Sequence, residues 1–217
     1  MSERLLLALD TSGERYISAL IEGGRIACCS AGLGSDRAWR LSAEVNKLLK
    51  DWGRGARDLS GIACGVGPGT FIGTRSGISF ANGLGQALGL SIYGFPSLDA
   101  LAAPHIGEGV RVVALKRARK PSFFCAVYPP QALQEGAALG KTFGEEIVTW
   151  ERLSAEILPR VEGEYRAVLS GGLAPEGAGI PVTYAHVEPE GLLFAALAAA
   201  EGKGLPMVAA KYLSPPV

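Results

Sequence analysis

Histidine is nearly absent from this chain: 217 residues hold two, His105 and His186. Neither has a second ligating side chain at metal spacing, and the sequence contains no HExxH, CxxC or GxSxG motif. The common zinc-site and serine-hydrolase patterns are therefore excluded, and both histidines are read as surface or hinge residues. An excess of charge of either sign is also lacking. Lys plus Arg is 21 and Asp plus Glu is 21. A chain that grips nucleic acid unaided usually carries a basic surplus, because phosphate contacts dominate that affinity. No apolar run reaches the roughly 20 residues of a membrane span, and the segment 192–200 is Ala-rich and suits a buried helix. The opening MSERLLLALD interrupts its short apolar stretch at Asp10, unlike a signal peptide, so a cytoplasmic location is expected. The cysteines, Cys28, Cys29, Cys64 and Cys125, sit in apolar strand-like runs and are expected to be reduced core residues. The vicinal Cys28–Cys29 pair points to opposite faces of a strand and should not bridge.

What is present suits one domain or two small lobes, since 48% of the residues are hydrophobic. Residues 4–9, 16–21 and 25–30 read as a three-strand meander turned at Gly23-Gly24. Ser35 or Asp36 can cap a helix to about Lys50, with Ala38, Leu41, Val45, Leu48, Leu49 and Trp52 on one stripe. A strand over 61–66, a helix over 74–88, a short strand over 91–94 and a small helix over 97–103 close the first half. Pro104 and Gly107–Gly109 mark a hinge, which divides the chain at 1–104 and 105–217. In the second half, strands are expected over 110–115, 123–127, 166–169 and 182–185, and helices over 150–161 and 192–201. Residues 129–141 read as a loop. Each half runs strands first, then helix and strand.

Three corners could carry chemistry. Asp10-Thr11-Ser12 closes the first strand, where a carboxylate and two hydroxyls can hold a metal or phosphate, or only their own turn. Gly67-Pro68-Gly69-Thr70 lies between a strand and a helix, where glycine amides and a helix N-terminus favour an anion. It lacks the Gly-Lys-Ser/Thr of a Walker loop. Ser170-Gly171-Gly172 follows a strand in the second half and could cradle a nucleotide or simply turn. The helix after Gly67–Thr70 is unusual in composition. Gly73, Gly77, Ala81, Gly85 and Gly89 recur every four residues, and each interior glycine costs about 1 kcal/mol against alanine. Close packing is the physical return, with the Gly/Ala side against the chain's own body and Ile78, Phe80 and Leu84 left as a partner surface. The run Lys116-Arg117-Ala118-Arg119-Lys120 reads as a solvated basic hairpin tip, or as a tRNA contact.

LLLALDTS, the hairpin, the capped helix, ACGVGPGTFIGTRSGISFANGLGQALGLSIYGFPSLDALA and the terminal KYL together resemble the TsaB (YeaZ) family. The resemblance is strong over residues 4–103 and thin beyond them. It implies a two-lobed α/β fold of the actin/Hsp70/sugar-kinase (ribonuclease H-like) kind. It further implies a non-catalytic subunit for N6-threonylcarbamoyladenosine formation at position 37 of tRNA, pairing with a TsaD-like catalytic subunit and a TsaE-like ATPase. Alone, such a chain would form a homodimer, and tRNA would be met only through the complex. No metal and no resident cofactor are implied, with ATP or ADP held, if at all, at the partner interface. Asp10, Thr11, Gly67, Gly69, Ser170, Gly171 and Gly172 then become the remnant of a nucleotide cleft. Leu41, Val45, Gly77, Ile78, Phe80, Ala81 and Leu84 become the partner or dimer interface, although some must face the chain's own core. The metal-binding H-x-x-x-H of TsaD has no counterpart in SDRAWRLSAEV, where Trp39 also replaces a histidine common in TsaB. The acidic strand pair usual in the second lobe is replaced by VALKRARKPSFFCAVY. A sugar-kinase-like phosphotransferase and a tRNA-binding module are the competing readings.

Overall fold

The computed structural model describes residues 4–33, 37–107, 109–130, 139–175 and 179–213, with backbone alone for 37–39. The helix-capping residues Ser35 and Asp36, and the side chains of Ala38 and Trp39, lie outside that description. The chain opens with the expected meander of β1 (Leu5–Asp10), β2 (Arg15–Glu22) and β3 (Arg25–Leu33). Gly23 and Gly24 turn it with φ of 59° and 76°, the left-handed conformation that two-residue hairpins need. Then follow α1 (Arg37–Asp51), β4 (Gly61–Gly65), α2 (Phe71–Leu88), β5 (Ile92–Phe95) and α3 (Ser97–Ala102). The sheet runs β3-β2-β1-β4-β5, with β1 antiparallel to β2 and parallel to β4.

A second sheet holds β6 (Val110–Arg117), β7 (Ser122–Tyr128), β8 (Phe143–Thr149), β9 (Glu164–Ser170) and β10 (Val182–Tyr184), in the order β10-β9-β6-β7-β8. Read from its own first strand, it repeats the first sheet. An antiparallel meander lies on one side of the leading strand, and two parallel strands lie on the other. This is the two-lobed actin/sugar-kinase-like architecture. Strand β8 was not foreseen: it is a sheet edge on which exposed Gly144 and Glu146 alternate with half-buried Phe143, Glu145 and Ile147, so its apolar signal is diluted by charge. The expected helix over 150–161 is a mixed segment, an α-turn α4 (Trp150–Arg152) running into a π-turn (Leu153–Ile157) and a 3₁₀ turn (Leu158–Arg160).

Both faces of the first sheet are covered, which is why its leading strand is an unbroken apolar run. Leu5, Leu7 and Leu9 pack with Leu41, Val45, Leu48 and Leu49 of α1 and Ile78 of α2. Leu6 and Ala8 meet Leu192, Ala195 and Ala196 of α5 (Pro189–Ala200) on the other face. In the second sheet, Val112 and Ala114 pack on Leu98 and Leu101 of α3, while Val113 and Leu115 pack on Trp150, Leu153 and Ile157. The last described residues return to the first sheet. Leu205 exchanges backbone hydrogen bonds with Ile92, and the Asn82 amide both donates to and accepts from the Val208 backbone, at 2.9 Å each. All four cysteines are free, but only Cys64 and Cys125 are buried. Cys28 is half-buried, and Cys29 is exposed rather than a core residue, because alternation along β3 turns it outward.

Candidate functional site

Four turns converge where the ends of the two leading strands face each other. They are Thr11–Glu14 after β1, Gly67–Thr70 before α2, the turn after β6, and Gly171–Gly172 after β9. They enclose a cleft of about 410 Å³ that reaches Ser12, Gly69, Lys116, Ser170 and Gly171.

Asp10 does not line it. The side chain is 1% exposed and folds under its own turn, where Oδ1 accepts hydrogen bonds from the Ser12 amide (2.8 Å) and the Ser12 hydroxyl (2.6 Å). A Cβ on Gly65 would sit 2.2 Å from its Oδ2, so the neighbouring strand must carry glycine there. Thr11 is likewise structural: its hydroxyl donates to the Gly73 carbonyl at 2.6 Å. Gly67 is bracketed by Ser97, whose hydroxyl accepts from its amide at 3.2 Å and whose amide donates to its carbonyl at 2.9 Å. Gly69 allows the closest approach, since a Cβ there would fall 2.2 Å from the Ser12 carbonyl oxygen, the same oxygen that accepts from the Thr70 amide. Gly171 and Gly172 both hold positive φ, 79° and 78°, against the side chain of Arg117. Of the seven residues expected in the cleft, Gly69, Ser170 and Gly171 line it. Asp10, Thr11 and Gly67 build its floor, and Gly172 lies behind Arg117.

The largest departure is Lys116. Instead of standing in a solvated hairpin tip it is 2% exposed, and its ammonium donates to the Ser12 hydroxyl at 2.5 Å, joining the two lobes. Strand alternation explains this, because 116 follows 112 and 114 onto the face turned toward the first lobe. Its charged end thereby reaches a polar partner in the other lobe. Arg117, Arg119 and Lys120 are the exposed members of that run, and Arg117 stands 3.8 Å from Glu14 across the cleft. Ser12, Glu14, Lys116 and Arg117 were not foreseen as a group. The period-two reading of 110–117 is the signal that would have found the lysine.

A second junction joins the lobes away from the cleft. The Tyr128 hydroxyl donates to Asp99 Oδ1 at 2.7 Å, while Lys141 bridges Asp99 (2.8 Å) and Glu145 (2.9 Å), and Lys211 reaches Glu145 at 2.5 Å. Burial pushes the Asp99 carboxyl above its ordinary range, and Lys141 offsets only part of this. Burial would lower the Lys141 ammonium, yet Asp99 and Glu145 outweigh it and hold it above its usual value.

The expected interface residues divide. Leu41, Val45, Ile78 and Ala81 are at most 7% exposed and, with Gly77, belong to the chain's own core, so their side chains present nothing to a second molecule. The glycine ridge faces strands of the same chain rather than another helix. A Cβ on Gly77 would lie 2.3 Å from the Thr11 hydroxyl, and one on Gly85 would lie 2.8 Å from Ile92. Phe80 and Leu84 are half-buried against that core. The outward face of α2 instead carries Phe71, Ile72, Arg75, Ser79 and Gly83, and a Cβ on Gly83 would meet open space. At its start, the Arg75 guanidinium lies 3.9 Å from the centre of the Phe71 ring and bonds the Tyr212 hydroxyl at 2.7 Å.

His105, in a 3₁₀ turn after α3, and His186 are half-buried and outside the cleft; burial lowers the His105 imidazole below its ordinary value. Among the described residues, no group of three or more His, Cys, Asp or Glu side chains could hold a metal ion. Among the same residues, no helix is long and apolar enough to cross a membrane.

The family model described as "TsaD: tRNA N6-adenosine threonylcarbamoyltransferase" matches residues 37–200. An uncharacterized protein of Mycobacterium tuberculosis is 31% identical over 115 residues, 52% of this chain and 54% of the relative, so the matched region spans about half the length of that relative. The tRNA threonylcarbamoyladenosine biosynthesis protein TsaB of Haemophilus influenzae is 30% identical over 158 residues, 72% of this chain and 64% of that protein. A crystal structure described as an uncharacterized protein with similarity to peptidase YEAZ from Pseudomonas aeruginosa superposes with a TM-score of 0.77 at 27% identity. That superposition covers 99% of this chain and all of the other. With that family match and a fold shared end to end, the chain belongs to the TsaB/YeaZ family, within the wider group described by the threonylcarbamoyltransferase model.

Proposed function

We propose that the chain is a non-catalytic subunit in the formation of N6-threonylcarbamoyladenosine on tRNA, acting by pairing with a TsaD-like catalytic subunit. Threonylcarbamoyladenosine biosynthesis is named for its TsaB relative, and the transferase for the family model that matches it. The observation that carries the non-catalytic part is the donor set of the cleft. Phosphoryl transfer on such a fold needs carboxylates that reach a phosphate-bound metal and a base. Here the Asp10 carboxylate is held beneath its turn by Ser12, and a lysine ammonium occupies the opposite wall. A peptidase reading lacks support from the same cleft, because both histidines lie outside it.

The partner is proposed to meet the outward face of α2, where Ile72, Ser79 and Gly83 are exposed and Phe80 and Leu84 stand half-exposed beside them. Small side chains there let a second helix approach closely. Without the catalytic subunit, the same face would pair with a second copy. A TsaE-like ATPase would join the assembled complex, tRNA would be met through it, and any ATP or ADP of the complex would sit at the subunit interface. Gly83→Leu tests this: open space around Gly83 and the removal of a glycine from a helix interior mean that the variant should fold with a melting temperature equal to or above that of the parent. It should nonetheless fail to co-elute with the TsaD-like subunit on size exclusion. Unchanged co-elution would move the interface off α2.

A further inference from the structure

We propose that the second lobe carries a site for a small apolar molecule bearing one carboxylate, in a cavity between its sheet and the segment 150–161. The cavity measures about 370 Å³, within the range of small-ligand sites. It opens at the start of β6, beside Arg111, whereas the cleft between the lobes lies at the other end of that strand, at Lys116 and Arg117. Its floor is apolar. Val127 and Ile157 belong to the second lobe's core, and Phe143 and Val161 pack against that core. A hydrocarbon body seated there would take apolar surface out of water. Both walls also depart from regular geometry at this point. The pairing of β7 with β8 shifts register between Cys125 and Val127, and the segment above it makes a π-turn over Leu153–Ile157. Bulges and π-turns recur where a chain shapes a functional site.

Arginine supplies the polar end. Arg111, Arg152 and Arg160 all line the cavity. Arg152 is neutralised by Glu146 at 3.1 Å and Glu156 at 3.4 Å. Arg111 instead donates to the backbone carbonyl of Glu162, an uncharged acceptor. Gly163, at φ 77°, leaves room for that guanidinium, since a Cβ there would fall 3.2 Å from its Nη1. Among the described residues, neither Arg111 nor Arg160 has a carboxylate within ion-pair distance. Three guanidiniums against the carboxylates of Glu156 and Glu162 leave one positive charge over. That balance suits a monoanion, and the exposed Glu162 opposes the second charge of a phosphate monoester or a dicarboxylate. A guanidinium fork meets one carboxylate with two parallel N–H donors. The site is independent of the pairing proposed above, which engages α2 of the first lobe.

The test uses the full chain and isothermal titration calorimetry at neutral pH and low salt, with octanoate as the probe. Octanoate should bind, while 1-octanol, which lacks the charge, and succinate, which doubles it, should bind far more weakly. From butanoate to octanoate, each added methylene should tighten binding by up to about fourfold. Arg160→Ala should lose about tenfold in affinity for octanoate, and Arg111→Gln at least as much. The exposed Arg160 side chain makes Arg160→Ala decisive by itself should Arg111→Gln fail to fold. Glu162→Gln should tighten binding several-fold. Arg117→Ala, at the other end of β6, should leave octanoate affinity unchanged. Absence of octanoate binding, parent-like affinity in Arg160→Ala, weaker binding in Glu162→Gln, or loss of binding in Arg117→Ala would each overturn the proposal. So would succinate binding as tightly as octanoate.

Discussion

The two sheets share one strand order, yet their equivalent leading turns carry opposite chemistry. In the first lobe the leading strand ends in Asp10, Thr11 and Ser12, beside Gly65 of the parallel neighbour. In the second, the leading strand ends in Lys116 and Arg117, and Lys116 lies in register with Ser170. The acidic turn is turned inward, with Asp10 Oδ1 held by Ser12 and Oδ2 buried without a hydrogen-bond partner, while the basic one reaches across to Ser12 and Glu14. In a cleft built from two equivalent turns, the charges thus complement each other across the gap. The crossovers differ as well. β4 is followed by the long helix α2, whereas the link from β9 to the short β10 holds no helix among its described residues. The first lobe therefore carries a long helix on its outer face, the surface proposed above for the partner.

Substitution can break this comparison at its tightest point. Gly77→Leu forces a side chain against Thr11 and Leu9 beneath the first turn, and overpacking of this kind costs about 3 kcal/mol. Urea denaturation should show that loss whether or not a partner is present. A stable Gly77→Leu would mean that the ridge serves another chain and not this sheet. Next in size is the cross-lobe lysine. Lys116→Met removes a hydrogen bond from a charged donor, so a loss of about 2 kcal/mol is expected. Arg119→Ala, on the exposed part of the same run, should stay within about 0.5 kcal/mol of the parent. Equal effects from the two would return Lys116 to the solvated tip that its neighbours suggest.

Thiol labelling at pH 8 gives the smallest and most local contrast. Cys64 in the first sheet and Cys125 in the second are sealed alike. Burial raises the Cys64 thiol strongly and pushes Cys125 up to about 12. Both should label only on unfolding, because the thiolate is the reactive form. Exposed Cys29 should label in the native chain. Labelling of Cys125 ahead of Cys64 would mean that the second lobe opens on its own.

Much of this was legible in the chain. The meander, the Gly67–Thr70 turn, the helix behind it and the strand-first order of each half follow from periodicity and glycine placement, and the family motifs name the architecture. The site was legible in its backbone but not in its side chains. Glycines mark where turns must come close, and Gly69, Ser170 and Gly171 do meet. Whether a carboxylate points into a cleft or under its own turn depends on hydrogen bonds that spacing does not encode, and so Asp10 read like a ligand. Lys116 was misread because four cations in five residues outweigh, to the eye, the alternation that buries one of them. Leu41 and Val45 on α1 and Ile78 on α2 are apolar positions that fit an interface as well as a core; only the sheet beneath them decides.

The central claim, that this chain supports the modification without performing chemistry, turns on Asp10, the one carboxylate of the family motif that closes the leading strand. Asp10→Asn keeps an acceptor for the Ser12 amide and hydroxyl while removing the negative charge. The direct measurement is threonylcarbamoyladenosine formed on tRNA in a reconstituted reaction, with the TsaD-like subunit saturating and complex formation checked by size exclusion. The account predicts product formation equal to that of the parent chain. Loss of product, with pairing and melting temperature unchanged, would contradict it and make this chain a participant in the chemistry.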